Sequence, residues 1–237
     1  MSRTIVVTGG GTGIGKAVAA RFAADGDRTV IIGRRADVLD RTAKEIGATA
    51  LTADLSDPGQ VERVRADLAA RFGTIDVLVN NAGGNLARHG DVAEQWTANF
   101  RANVLTSVLP TEALRDLLNP LGRVVFISSI AALRGSGGTS YGPMKAALHP
   151  YAFDLAAALG PRGITVNVVA PGYIEDTEFF GDTLTGERRT ALLAQTHTGR
   201  AGTPQDIAGT VHWLASPGGA HVTAQIIQVN GGAERGR

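Results

Sequence analysis

Tyr141 and Lys145 stand four positions apart in Tyr141-Gly142-Pro143-Met144-Lys145. On a helix that spacing puts both side chains on one face. A phenol with an ordinary pKa near 10 is a poor base at neutral pH. An ammonium about 4 Å away, at an effective dielectric of about 20, favours phenolate by roughly 4 kcal/mol. That corresponds to about 3 pKa units, enough to make a tuned proton donor or acceptor. Tyr-x-x-x-Lys also recurs by chance on amphipathic helices, so the spacing alone assigns nothing.

A second candidate is Thr8-Gly9-Gly10-Gly11-Thr12-Gly13-Ile14-Gly15, between a β-branched run and a helical pattern. Glycines there permit a tight turn and let the backbone approach a pyrophosphate. The helix N-terminus adds free N–H groups and a positive dipole end. The strict G-x-G-x-x-G spacing is absent, and such turns also serve as plain connectors. In NAD-binding sheets an acidic residue about 20 positions further on holds the ribose 2′-hydroxyl. Here the second run ends in Ile31-Ile32-Gly33-Arg34-Arg35. An arginine fork suits a 2′-phosphate, which predicts NADP(H) over NAD(H). Two solvated arginines opening the next helix are the plainer alternative, and Asp37 lies close by.

Elements must hold these residues in place. Short apolar runs at 4–7, 29–32, 48–52, 77–80, 123–128, 165–169 and 226–229 read as strands. Residues 17–22, 61–72 and 147–159 carry apolar side chains at three- and four-residue spacing, the mark of helices. Near-continuous Val/Ile strands are buried on both faces. Alternating β and α elements imply a parallel sheet with right-handed crossovers. The expected fold is a single-domain, doubly wound Rossmann-type sheet over 1–237, with helices on both faces. Ligands of such sheets bind beyond the carboxyl ends of the strands. Residues 173–200 form the one long stretch without a strand and read as a lid.

Further motifs follow in order: Asn80-Asn81-Ala82-Gly83, Ser128-Ser129, Tyr141-x-x-x-Lys145 and Pro171-Gly172. With the Thr-Gly-x-x-x-Gly-x-Gly loop, this set resembles the short-chain dehydrogenase/reductase family over essentially the whole chain. The resemblance implies an NADP(H)-dependent enzyme that moves hydride between nicotinamide and a carbonyl or secondary alcohol. It implies that Gly9, Thr12, Gly13, Ile14 and Gly15 line the cofactor phosphates. Asp54 and Leu55 would lie at the adenine, and Asn81, Ala82 and Gly83 beside its ribose. Pro171, Gly172 and Ile174 would meet the carboxamide side. Tyr141 would be the acid–base group, with Lys145 also reaching the cofactor ribose. A serine would bond the substrate oxygen, and Asn103 would support a proton relay, although an asparagine there can also be a structural bridge. Counting back from Tyr141 selects Ser128, whereas counting forward along the strand from Gly122-Arg123 selects Ser129. Strand register is fixed and the glycine-rich loop after it can lose a residue cheaply, so Ser129 is preferred.

Within the family the chain is similar to 3-oxoacyl-thioester (acyl-carrier-protein) reductases, above all in Arg162–Pro171. The stretch Leu117–Leu121, however, carries no basic residue to receive an acidic carrier. Reduction of a cyclic or aromatic ketone and a non-catalytic cofactor-binding regulator are the alternatives. Such family members are usually homodimers or homotetramers, expected here to pair through helices over 94–118 and 141–159.

Composition narrows the remaining classes. A net charge of +1 over 237 residues gives no electrostatic case for nucleic acid or an anionic membrane. The absence of cysteine excludes disulfides and thiolate metal sites and favours the cytoplasm. No signal peptide or membrane-length apolar run is expected. His89, His149, His197, His212 and His221 lack metal-ligand spacing and read as core or surface residues. Trp96 and Trp213 read as packing, and Arg162 as a loop charge. Four departures from the family pattern stand out, one of them Thr223-Ala224 where the family usually has Thr-Gly. Pro143 is tolerable only if its helix begins near Tyr141, and Pro150 should kink that helix. The threonine after Pro171-Gly172 falls late, at Thr177.

Overall fold

The computed structural model describes residues 2–85 and 91–235, so His89 lies outside the described residues. Seven strands form one sheet: β1 (Thr4–Thr8), β2 (Arg28–Gly33), β3 (Thr49–Thr52), β4 (Ile75–Asn80), β5 (Leu118–Ile127), β6 (Thr165–Pro171) and β7 (Ile226–Val229). Their order is β3-β2-β1-β4-β5-β6-β7, and every pairing is parallel. The chain thus has the doubly wound, Rossmann-type α/β architecture that its alternating pattern predicts.

Strand side chains alternate between two cores. Val6, Val30, Leu78, Val124 and Val166 point to one face. There they meet helices α3 (Pro58–Phe72), α5 (Thr106–Leu114) and α8 (Leu148–Leu159) through Leu68, Leu114 and Leu155. Ile5, Val7, Ile31, Val79 and Val125 point to the other. They meet α1 (Gly13–Ala24), α2 (Ala36–Ile46) and α10 (Pro204–Leu214) through Phe22, Leu39 and Val211. Burial on both faces explains why the central strands read as unbroken apolar runs. Four further helices, α4 (Val92–Phe100), α6 (Ala131–Arg134), α7 (Tyr141–Ala146) and α9 (Gly186–Leu193), lie among the connections. Among the described residues no helix is long and apolar enough to cross a membrane.

Several expectations need correction. The helix expected over 94–118 is instead α4, a π-helical turn at Arg101–Leu105, α5, and a 3₁₀ turn at Arg115–Leu117. Pro110 lies inside α5, where it removes a ladder hydrogen bond. Leu118 already belongs to β5, paired with Ile75. The helix expected over 141–159 is broken at Ala147, where α7 ends and α8 begins. Pro150 has no N–H to offer the Ala146 carbonyl, which accounts for the break. Pro143 is harmless, because α7 starts at Tyr141 and the proline falls in its first turn. Trp96 and Trp213 are not core residues, since each is 46% exposed. Arg162 is no loose charge: its guanidinium donates to the Arg115 and Leu118 carbonyls and closes the turn before β5.

Candidate active site

The carboxyl ends of β1, β4, β5 and β6 converge where the strand order reverses, between β1 and β4. Thr8, at the end of β1, organises the first layer. Its hydroxyl accepts the N–H groups of Asn81 and Ala82, each at 2.9 Å. The Asn81 amide donates to the carbonyls of Thr8 (2.9 Å) and Gly9 (3.2 Å). The side chain of Asn81 therefore holds the glycine loop rather than facing a ligand.

That loop has the form of a cradle. Gly9 adopts φ +64°, which a side chain would oppose. A Cβ at Gly15 would stand 2.3 Å from the Gly9 carbonyl oxygen, so only glycine fits. Thr12 caps α1 without a side-chain hydrogen bond, and the first turn, from Gly13 through Ile14 and Gly15, carries no acidic residue. Its N–H groups and dipole are suited to an anion. These observations fit a dinucleotide pyrophosphate.

At the end of β2, Arg34 and Arg35 diverge. The Ser56 N–H, the Ser56 hydroxyl and the charge of Arg34 hold the Asp54 carboxyl below the usual range. Leu55 beside it is buried. The Arg35 guanidinium instead pairs with Glu178, at 2.8 Å. On the far side, Ile130 donates to the Pro171 carbonyl and Gly172 to that of Val229. The side chain of Ile174 enters the core. Thr177 donates to the Ile174 carbonyl at 3.2 Å.

Tyr141, Ser129, Lys145 and Asn103 come together at the centre. Tyr141 is 7% exposed and Lys145 3%. The Ser129 hydroxyl lies beside the Tyr141 phenol, whose pKa it lowers, and accepts the Ala131 N–H at 3.1 Å. Ser128 points away, toward the buried His149, with Oγ 2.8 Å from Nε2. The Lys145 ammonium donates to the Ile127 carbonyl at 2.9 Å. A Cβ on Gly83 would come within 2.7 Å of the Asn103 amide oxygen and 3.0 Å of Lys145 Nζ, so glycine keeps this corner open.

Electrostatics differ from the sequence argument. Burial pushes the Tyr141 phenol up to about 12, and the Ser129 hydroxyl beside it offsets this only in part. Burial also brings Lys145 down to about 8. The ammonium is directed at the Ile127 carbonyl, so among the protein's own groups desolvation outweighs charge attraction. Tyr141 is therefore a protonated, buried phenol at neutral pH.

Asn103 lies in the π-helical turn, an irregularity common at functional sites. Its side chain bridges both ways to Gly84, accepting at 3.0 Å and donating at 2.9 Å. Sequence reasoning missed Asn99 and Ser140. The Asn99 amide donates to the Ser140 hydroxyl at 2.9 Å, fixing the residue just before Tyr141. It also missed the Ile127 carbonyl, because a backbone acceptor leaves no signal in residue type. Residues 173–200 do reach the site: the Phe179 ring lies 5.2 Å from that of Tyr141.

The family model described as Enoyl-(Acyl carrier protein) reductase matches residues 9–234. The chain is 36% identical to the 3-oxoacyl-[acyl-carrier-protein] reductase FabG of Escherichia coli, over 96% of this chain and 95% of the other. A short-chain dehydrogenase/reductase from Brucella melitensis superposes with a TM-score of 0.92 at 32% identity, covering 99% and 97%. The chain belongs to the short-chain dehydrogenase/reductase family. As a member it is an oxidoreductase acting on CH–OH and C=O groups. It is also similar to a blue fluorescent protein from a metagenomic library solved with NADPH, with a TM-score of 0.87 and 33% identity over 98% of each chain. Another relative, at 35% identity over 98% of this chain and 96% of its own, is the (2S)-[(R)-hydroxy(phenyl)methyl]succinyl-CoA dehydrogenase subunit BbsD of Thauera aromatica.

Proposed function

We propose that this enzyme is an NADP(H)-dependent carbonyl reductase in which Tyr141 donates the proton. The observation that carries the reading is a buried Tyr141 with the Ser129 hydroxyl beside its phenol and a buried Lys145 one turn along α7, at the carboxyl end of β5. The cradle of Gly9, Thr12, Gly13, Ile14 and Gly15 would hold the pyrophosphate of the cofactor. Arg34 and Arg35 would hold its 2′-phosphate, and Asp54, Leu55, Asn81, Ala82 and Gly83 its adenosine half. Pro171, Gly172 and Ile174 would hold its carboxamide. When bound, the reduced nicotinamide supplies hydride to the substrate's carbonyl carbon.

The chain's own groups handle the oxygen and the proton. The Ser129 hydroxyl bonds the substrate oxygen beside the Tyr141 phenol. The phenol, kept protonated by burial, passes its proton to that oxygen as negative charge develops there. The Lys145 ammonium, held by the Ile127 carbonyl, then stabilises the phenolate left behind. Asn103 fixes Gly84 and supports proton resupply from the helix side.

The substrate class we favour is a 3-oxoacyl thioester. The FabG relative supports it by name. The cluster of Phe179 with Tyr141 and Phe180 also suits a cyclic or aromatic ketone as a second reading. Residues 1–237 act as one catalytic domain, with 173–200 as its lid, in a cytoplasmic homodimer or homotetramer. Val92, Trp96 and Phe100 recur every fourth residue on α4, and all are exposed. Such an apolar stripe suits a self-complementary interface. NADPH oxidation should be followed against an acetoacetyl thioester and a bicyclic ketone. Turnover of either supports the reductase reading and separates the substrate classes. Absence of turnover with a broad carbonyl panel would contradict it.

A further inference from the structure

Thr177, Glu178 and Phe179 are consecutive, yet they reach three parts of the site. A Cβ built on Gly13 in the phosphate cradle would meet the Thr177 methyl at 3.3 Å. The Glu178 carboxylate grips the Arg35 guanidinium with both oxygens, at 2.8 and 3.5 Å. The Phe179 ring lies against Tyr141. Asp176, just before them, adopts φ +57°, a left-handed bend that asparagine and aspartate tolerate best. Thr177 and Phe179 thus anchor Glu178 on either side and deliver its carboxylate to one arginine, 143 positions away in sequence.

We propose that Glu178 is an internal competitor for the 2′-phosphate of NADP(H) at Arg35, and so sets how strongly the enzyme prefers that cofactor. The proposal rests on the NADP(H) reading above. Glu178 occupies the end-on Nη1/Nη2 pair of the Arg35 guanidinium, and a phosphate that takes this pair must displace it. The carboxylate offers two oxygens and one charge, whereas a phosphate monoester offers three oxygens and nearly two charges. Phosphate can therefore displace it. The ribose hydroxyl of NAD(H) is neutral and cannot, so the Arg35–Glu178 pair stays intact beside that cofactor. Both partners are more than half exposed, so the pair is weak enough to exchange. The carboxylate lowers affinity for NADP(H) without touching affinity for NAD(H).

The test is calorimetric and needs no turnover. Adenosine 2′,5′-bisphosphate, NADPH and NADH are titrated into wild type, Glu178→Gln, Arg35→Ala and the double variant. Glu178 is exposed, and glutamine keeps its size, so the fold is retained. Glu178→Gln should tighten the bisphosphate and NADPH by about 1.5- to 5-fold, the range of an exposed ion pair. NADH binding should be unchanged, and the gain should vanish when Arg35 is alanine. Unchanged or weaker bisphosphate binding by Glu178→Gln, or an equal gain for NADH, overturns the proposal. Wild type that binds NADPH and NADH equally would instead overturn the cofactor reading on which it rests.

Discussion

The Ser129 hydroxyl lies beside the Tyr141 phenol, while its neighbour Ser128 hydrogen-bonds the buried His149. Just past β5, Ser128 is committed to His149 and Ser129 is the serine beside Tyr141, so Ser129 is the one placed to serve the reaction. Ser129→Ala should lower kcat by about 10²–10³-fold, the loss typical of one oxyanion donor. Ser128→Ala should leave kcat close to wild type and cost about 1 kcal/mol of stability through the lost hydrogen bond. The two variants are assayed side by side on folded protein. An inactive Ser128→Ala beside an active Ser129→Ala refutes the assignment.

In the proposed reading, cofactor choice follows from Arg34 and Arg35 just after β2, where an acidic residue would select NAD(H). NADPH should be preferred over NADH by about 10- to 150-fold in kcat/KM, from roughly 1.5–3 kcal/mol of charge-assisted contact. Arg34→Ala and Arg35→Ala should each erode that preference, chiefly through KM. Equal specificity constants in wild type contradict the prediction.

Lys145 leaves a signature in stability. Burial places it at about 8 in the folded protein, against 10.5 ordinarily. Between those values the unfolded chain binds more protons than the native one, so stability rises with pH. Tyr141 acts in the opposite sense, but only above about pH 10. In cofactor-free protein, raising the pH from 8 to 10 should therefore stabilise wild type by roughly 2 kcal/mol relative to Lys145→Met. Denaturant unfolding at a series of pH values measures this difference. Parallel pH curves for the two proteins would show that Lys145 is not desolvated.

How much of this was legible in the sequence depends on distance along the chain. The strands, Tyr141-x-x-x-Lys145, the glycine loop and the kink expected at Pro150 are local patterns, and each has a local physical cause. The phenol's electrostatics are not local. Two residues four apart predict attraction, but the desolvation that outweighs it comes from the fold around them. Asn99 reaches Ser140, and Arg35 reaches Glu178, through side chains brought together from distant segments. Neither pairing leaves a periodicity to read. Arg162 looked like a loop charge because its acceptors are backbone carbonyls, which no residue type announces.

The stripe of Val92, Trp96 and Phe100 predicts self-association through α4. Trp96→Glu should shift the assembly toward monomer in light scattering at micromolar concentration, because a carboxylate buried in an apolar interface is costly. An unchanged mass for the variant, or a monomeric wild type, contradicts this.

The most direct test of the account is Tyr141→Phe, which keeps the ring and removes only the hydroxyl. It is assayed for reduction of a substrate that the wild type accepts, with NADPH affinity measured in parallel. The account predicts a fall in kcat of about 10²–10⁴-fold, the usual contribution of general acid catalysis, with the NADPH dissociation constant within about twofold of wild type. A Tyr141→Phe enzyme that turns over at near the wild-type rate would contradict it.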